Sequence, residues 1–243
     1  MHNKYYKGIV ILFLVAILAA CGAKIGEMET YSTNVDFQGE KALDVSIRLG
    51  AGDLTINGET EKVADVDFSY NVEKLKPIVD YSIVEQDIGQ LAISQSNMNV
   101  PIGNLKGLEY SGIIHINPTI PVNIQVKTGA GNNTLELQHL NLQKAEIISG
   151  VGQTTINMNG NYKQNFDAVI ESGVGQTKIM VPENIGVKIM IDSGIGKVDT
   201  FGLLTEDDST YVNHAYGKSN ITVNMRIKMG VGDVEIIEGS IKN

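Results

Sequence analysis

The sequence predicts an all-β protein, an elongated solenoid-like stack of strands with about 21–23 residues per repeat. Gly-x-Gly triplets recur six times, with first glycines at Gly50, Gly129, Gly150, Gly173, Gly194 and Gly230. Successive first glycines lie 79, 21, 23, 21 and 36 residues apart. Apolar and polar residues alternate on both sides of each triplet, the period of a half-buried strand. After the leader, no stretch sustains a 3.6-residue period, and Val, Ile and Thr dominate the regular segments.

The leader comes first. Lys4 and Lys7 precede an uncharged, mostly apolar run of 13 residues, 8–20. A helix needs about 20 apolar residues to span a bilayer, so residues 1–20 read as a secretory signal peptide. The run ends in Leu18-Ala19-Ala20-Cys21 followed by Gly22, and Cys21 is the only cysteine. That arrangement resembles the bacterial lipobox, whose cysteine is lipidated and becomes the mature N-terminus. Two acyl chains on it suffice for stable anchoring. Residues 21–31 then read as a lipidated N-terminus and tether. The expected location is the extracytoplasmic face of the cell membrane, peripheral and lipid-anchored.

The formal net charge is −9. Removing the leader makes the balance more acidic, because Lys4 and Lys7 go with it. Nucleic acid is therefore not an expected partner, since it calls for clustered Lys and Arg.

Residues 32–121 read as an N-terminal β region with degenerate repeats. The first corner, Gly50-Ala51-Gly52, lies here. Beyond it, strand-like runs appear at 63–70, 78–84 and 90–96, and Asp87-Ile88-Gly89 looks like a decayed corner. Pro101, several glycines and Pro118 just beyond make 96–117 a long loop ending in a short strand, 113–116. Residues 122–243 carry the regular repeats.

Three positions before each first glycine stand Ile47, Val126, Ile147, Ile170, Ile191 and Ile227. Six positions after it stand Ile56, Leu135, Ile156, Ile179, Thr200 and Ile236. Each unit is thus strand, glycine bend, strand, and stacking at about 4.8 Å turns like positions into ladders. Asp53, Asn132, Gln153, Gln176, Lys197 and Asp233 form an outward polar column. Open strand edges at the ends need covering, and the tail 238–243 is a candidate cap. The longest spacing after Gly129 is due to an insertion, 202–219.

The Gly-Ala-Gly-Asp-Leu-Thr-Ile opening at Gly50, the later Gly-Val-Gly corners, Tyr-Val-Asn-His-Ala-Tyr-Gly-Lys in the insertion and the closing Gly-Val-Gly-Asp-Val-Glu-Ile resemble the toast-rack family of bacterial cell-envelope proteins. The C-terminal part is similar to the extracytoplasmic domain of LiaF-type cell-wall-antibiotic response proteins and to adhesin-type β-repeat proteins. The resemblance implies a β-solenoid-like stack and carries over no catalytic residues. LiaF-type proteins have membrane-spanning helices before this domain, whereas a lipid anchor is expected here.

Signals for chemistry are sparse. A dinucleotide fingerprint needs a third glycine and a following helix, and here strands follow. Gly-x-Gly-Asp occurs at Asp53 and Asp233, but calcium-binding repeats need the aspartate in consecutive copies. His115, His139 and His214 have no metal-ligand spacing. A polysaccharide-active enzyme would use paired outward carboxylates, for which Asp192 and Asp199 flanking one corner are the candidates. No cofactor, metal or catalytic residue is expected. The function expected is a non-enzymatic, lipid-anchored binding or scaffold module that faces the cell exterior, adhesin-like or in contact with a cell-wall polymer or envelope protein. Two alternatives stand beside it, a modulator or sensor in an envelope-stress or antibiotic response and a polysaccharide-active β-helix enzyme. The candidate binding loop is the insertion, through Glu206, Asp207, Asp208, Tyr211, Asn213, His214 and Tyr216, and its other reading is a flap over apolar surface.

Overall fold

The computed structural model describes residues 25–85, 87–96 and 107–239. The chain forms β1 (Glu29–Val35), β2 (Ala42–Ala51), β3 (Asp53–Asn57), β4 (Ala64–Tyr70), β5 (Pro77–Val84), β6 (Ile88–Gln95), β7 (Tyr110–Ile116) and β8 (Pro121–Ala130). There follow β9 (Asn133–Glu136), β10 (Asn141–Asn157), β11 (Phe166–Val181), β12 (Gly186–Ile195), β13 (Val198–Phe201), β14 (Leu204–Thr205), β15 (Thr210–Val212) and β16 (Thr222–Glu238). The expected strands at 63–70, 78–84, 90–96 and 113–116 correspond to β4, β5, β6 and β7.

All sixteen strands belong to one sheet that bends at the glycine corners into two arms. The first arm, before the corners, runs β5-β6-β2-β8-β10-β11-β16-β12-β15-β14. The second, after them, runs β1-β4-β7-β3-β9-β10-β11-β16-β13. Strands within the stack are parallel, and antiparallel strands extend its ends. The inner faces of both arms share one apolar core. Ile47, Val126, Ile147, Ile170, Ile227 and Ile191 are consecutive register partners and at most 6% exposed. Each such side chain contributes about 1.5–3 kcal/mol on burial.

The stack does not follow chain order. β16 inserts between β11 and β12, so the last repeat in sequence is the penultimate layer in space. The inner residues explain the exchange. Next to the corner β16 presents Met229 and Val234, both buried, where the terminal layer presents Ser193, which is exposed, and Val198, which is half-buried. The more apolar strand takes the place paired on both sides. The insertion supplies the chain length for this crossover.

Three expectations change. Glu238 ends a strand flanked on both sides, so it caps nothing, and residues 240–243 lie outside the described residues. Glu29, Thr30 and Tyr31, read as the end of a tether, open β1 and pair with β4. Ile88 and Gly89 are not a corner but begin β6, paired with Ala42 and Leu43. A Cβ on Gly89 would meet the Tyr81 hydroxyl at 2.7 Å, which accounts for the glycine without a corner.

The corners need glycine because the layers nearly touch there. A Cβ on the second glycine of any stacked corner would lie 1.6–2.0 Å from the carbonyl oxygen of the second glycine in the layer before it. Those glycines also hold φ between 136° and 148°, which side-chain-bearing residues rarely adopt.

Candidate functional site

The insertion 202–219 covers the end of the first arm. β15 pairs antiparallel with Lys188, Ile189 and Met190 of β12, and β14 pairs with β15. Asn213, 2% exposed, fastens it. Its Oδ1 accepts from the Val187 amide at 2.9 Å, and its Nδ2 donates to the carbonyls of Pro182 and Ile185 at 2.9 and 2.7 Å. Tyr211 is half-buried against the core. These two candidate binding residues therefore serve as packing. Glu206, Asp207, Asp208 and His214 are exposed, and Tyr216 is partly so.

Two of the exposed or partly exposed members, Glu206 and Tyr216, gather around Lys188, a residue that sequence reasoning missed. Its Nζ lies 3.1 Å from Glu206 Oε2 and 5.5 Å from the centre of the Tyr216 ring. The Glu206 carboxylate, and then Tyr216, raise the Lys188 pKa. The Ser209 amide donates to Asp207 Oδ1 at 2.9 Å and holds that carboxyl below its ordinary value. His214 Nδ1 lies 3.3 Å from Glu238 Oε2. No signal in the sequence pairs Lys188 with the insertion, because the contact depends on where β15 docks.

Outside the insertion the arms present ladders. On the second arm Gln153 Nε2 donates to Gln176 Oε1 at 3.3 Å, and Thr55, Thr134 and Thr155 stand in register. On the first, Lys127 pairs with Glu146 at 3.6 Å and Lys228 with Glu171 at 3.8 Å. The two aspartates of Gly-x-Gly-Asp join layers. Asp53 Oδ1 accepts from the Asn132 amide at 2.8 Å, and Asp233 Oδ1 from the Lys197 amide at 3.1 Å. The central residue of the last four corners points outward, whereas Ala51 at the first is buried. Val151, Val174, Val231 and Ile195 are successive register partners, 46–74% exposed, and form an aliphatic ridge. Aligning the triplets shows this ridge in the sequence, as aliphatic residues replace alanine in the later copies.

The remaining candidates stay apart. Asp192 lines a depression with Glu171 and Lys228, whereas Asp199 lines another with Asp233 and Glu235. Asp199 Oδ2 is 2.7 Å from Lys197 Nζ. His115 Nδ1 is 2.6 Å from Asn57 Oδ1, and His139 lies beside Leu140 and Tyr162. Among the described residues no three His, Cys, Asp or Glu gather as metal ligands, and no helix is long and apolar enough to cross a membrane. Cys21 lies outside the described residues.

Residues 24–180 match the family described as N-terminal domain of toast_rack, DUF2154. The chain belongs to the toast-rack family. Residues 129–236 of this toast-rack protein also match the family described as Cell wall-active antibiotics response LiaF, C-terminal, so the repeats at 129–180 satisfy both descriptions. Among solved structures it is similar to a "putative cell adhesion protein" from Clostridium sporogenes ATCC 15579, 31% identical, covering 87% of this chain and all of that one, with a TM-score of 0.84. It also matches a "putative adhesin" from Bacteroides fragilis NCTC 9343, 14% identical, covering 86% of this chain and 97% of that one, with a TM-score of 0.32. No curated protein matches significantly.

Proposed function

We propose that this toast-rack protein is a non-enzymatic binding or scaffold module of the cell envelope, held at the outer face of the membrane through lipid on Cys21. The observation that carries this reading is the outward surface of the second arm. It offers amide and hydroxyl groups in straight columns, such as Gln153–Gln176 and Thr55–Thr134–Thr155, one group per layer of about 4.8 Å. Such columns suit an extended polymer or strand-like partner that meets the same group repeatedly. The likeness to the Clostridium sporogenes cell adhesion protein and the match to LiaF-type proteins favour the same envelope setting. The exposed part of the insertion, with Glu206 and Tyr216 against Lys188 and with Asp207, Asp208 and His214 beside them in sequence, is the element proposed to give specificity, because exposed loops on rigid scaffolds carry recognition.

The test is crosslinking in intact cells with a photoreactive residue at position 214 of the full chain, and a second at position 153. The reading expects adducts with wall polymer or an envelope protein from at least one position. Absence of adducts from both would remove it. A second reading, a modulator of an antibiotic response, is favoured by the match over residues 129–236. It expects Cys21→Ala to abolish the response phenotype with no wall adduct at either position.

A further inference from the structure

The two ends of the stack differ at the corner. At the β2 end the side chain of Gln95 closes it. At the other end β15 covers β12 only through Met190, with one further bond from the Ile191 amide to the Ser209 carbonyl at 2.8 Å. From Asp192 through Phe201 the chain has β16 on one side and, among the described residues, no strand on the other. A sheet edge with unpaired peptide groups is a template for another strand. This edge carries no proline or bulge to block pairing, and it exposes Ile195 by 74% and Phe201 by 53%.

We propose that the β13 edge pairs antiparallel with the same edge of a second copy of this chain, about a two-fold axis at Val198. Three features select this partner and this register. Alternation requires inward residues to meet inward and outward to meet outward, and Val198 opposite itself satisfies that. The register sets Lys197 opposite Asp199 of the other copy, twice, in reciprocal charge complementarity. It also sets Ile195 opposite Phe201. Ile195 ends the aliphatic ridge Val151–Val174–Val231. Phe201 ends an outward apolar column through its register partner Ile237, itself paired with Met180. In the dimer each ridge of one copy runs on into the apolar column of the other, so two broken stripes become two continuous ones. Isologous closure leaves the β1 ends outermost and ends assembly at two. The flap over β12 keeps the neighbouring edge of the first arm out of the pairing.

The test is Val198→Cys in the full chain, expressed in cells and oxidised mildly. Cys21 is the only native cysteine, so a new covalent dimer reports the 198–198 contact. Lys197 and Asp199 also pair within one copy at 2.7 Å, so the two substitutions are split between chains. The expected result is a band at twice the monomer mass, lost in Val198→Cys/Lys197→Asp alone and in Val198→Cys/Asp199→Lys alone and regained when those two chains are co-expressed. Recovery in the mixed pair, where neither chain can form its own Lys197–Asp199 bond, separates pairing between copies from an effect within one. A Val198→Cys chain that stays monomeric, or a dimer band indifferent to Lys197→Asp, would overturn the proposal. So would a Val198→Cys chain that crosslinks only to a co-expressed Thr33→Cys chain, since that outcome means head-to-tail stacking onto β1.

Discussion

The side chain of Gln95 stands in for a missing peptide beside Ala51. Its Nε2 donates to the Ala51 carbonyl at 3.0 Å, and its Oε1 accepts from the amides of Ala51 and Gly50 at 3.2 and 2.9 Å. Elsewhere each corner bonds to the next, as when the Gly52 amide donates to the Ala130 carbonyl at 2.9 Å. At the first corner β6 and β7 flank the two arms, and among the described residues no corner lies above it.

Gln95→Leu removes all three bonds while keeping apolar volume. Buried donors and acceptors without partners cost about 1–3 kcal/mol each, so the variant is expected to lose about 3 kcal/mol or more in urea unfolding. Gln95→Glu should do no better, because its second carboxylate oxygen faces the Ala51 carbonyl. Unchanged stability in both variants would mean the corner needs no closing.

Gly175→Ala should prevent folding or lower stability by more than about 4 kcal/mol, the range reserved for strong structural conflict. Its Cβ would lie 1.8 Å from the Gly152 carbonyl oxygen. Gly39→Ala is the control, with φ of 100° but nothing within 4 Å of the new Cβ. It should cost only about 1–2 kcal/mol of backbone strain. Thermal denaturation of the two variants compares the terms directly.

Asn213→Ala leaves the Val187 amide and two carbonyls without their partner. The expected outcome is a loss of about 2–3 kcal/mol and faster proteolysis within 202–219. His214→Ala, at an exposed site, should leave both unchanged. Protease mapping by mass spectrometry distinguishes them.

Alkaline pH should unfold the protein through its buried tyrosines. Burial, then the hydrogen bond to Glu29, pushes the Tyr70 pKa up to about 12, and burial also raises Tyr110 and Tyr162. A raised phenol pKa contributes stability that is intact below the unfolded value near 10 and is lost as pH climbs through the folded one. Stability should therefore fall between pH 10 and 12, and Tyr70→Phe should flatten part of that fall. Circular dichroism across this window provides the measurement.

The ladders were legible in the sequence because alternation and the glycine period report local geometry directly. Ile147, Ile170 and Ile191 fall in one column as their spacing requires. What escaped notice depends on pairing over long distances. Nothing near Ile227 announces that it sits between Ile170 and Ile191, and Gln95 looks like any strand-end polar residue until Ala51 is placed beside it. The insertion showed a similar divide. Its length marked it as an interruption, but only docking separates Asn213, buried beneath it, from His214, exposed on top.

The interleaved layer order is the claim on which the rest depends, and paired cysteines test it most directly. Gln176 and Asp233 are register partners on adjacent strands, whereas Lys197 lies one layer further on. A disulfide needs Cα atoms within about 7 Å. Gln176→Cys/Asp233→Cys should crosslink readily and Gln176→Cys/Lys197→Cys should not. The reverse pattern would mean the repeats stack in chain order and would contradict the account.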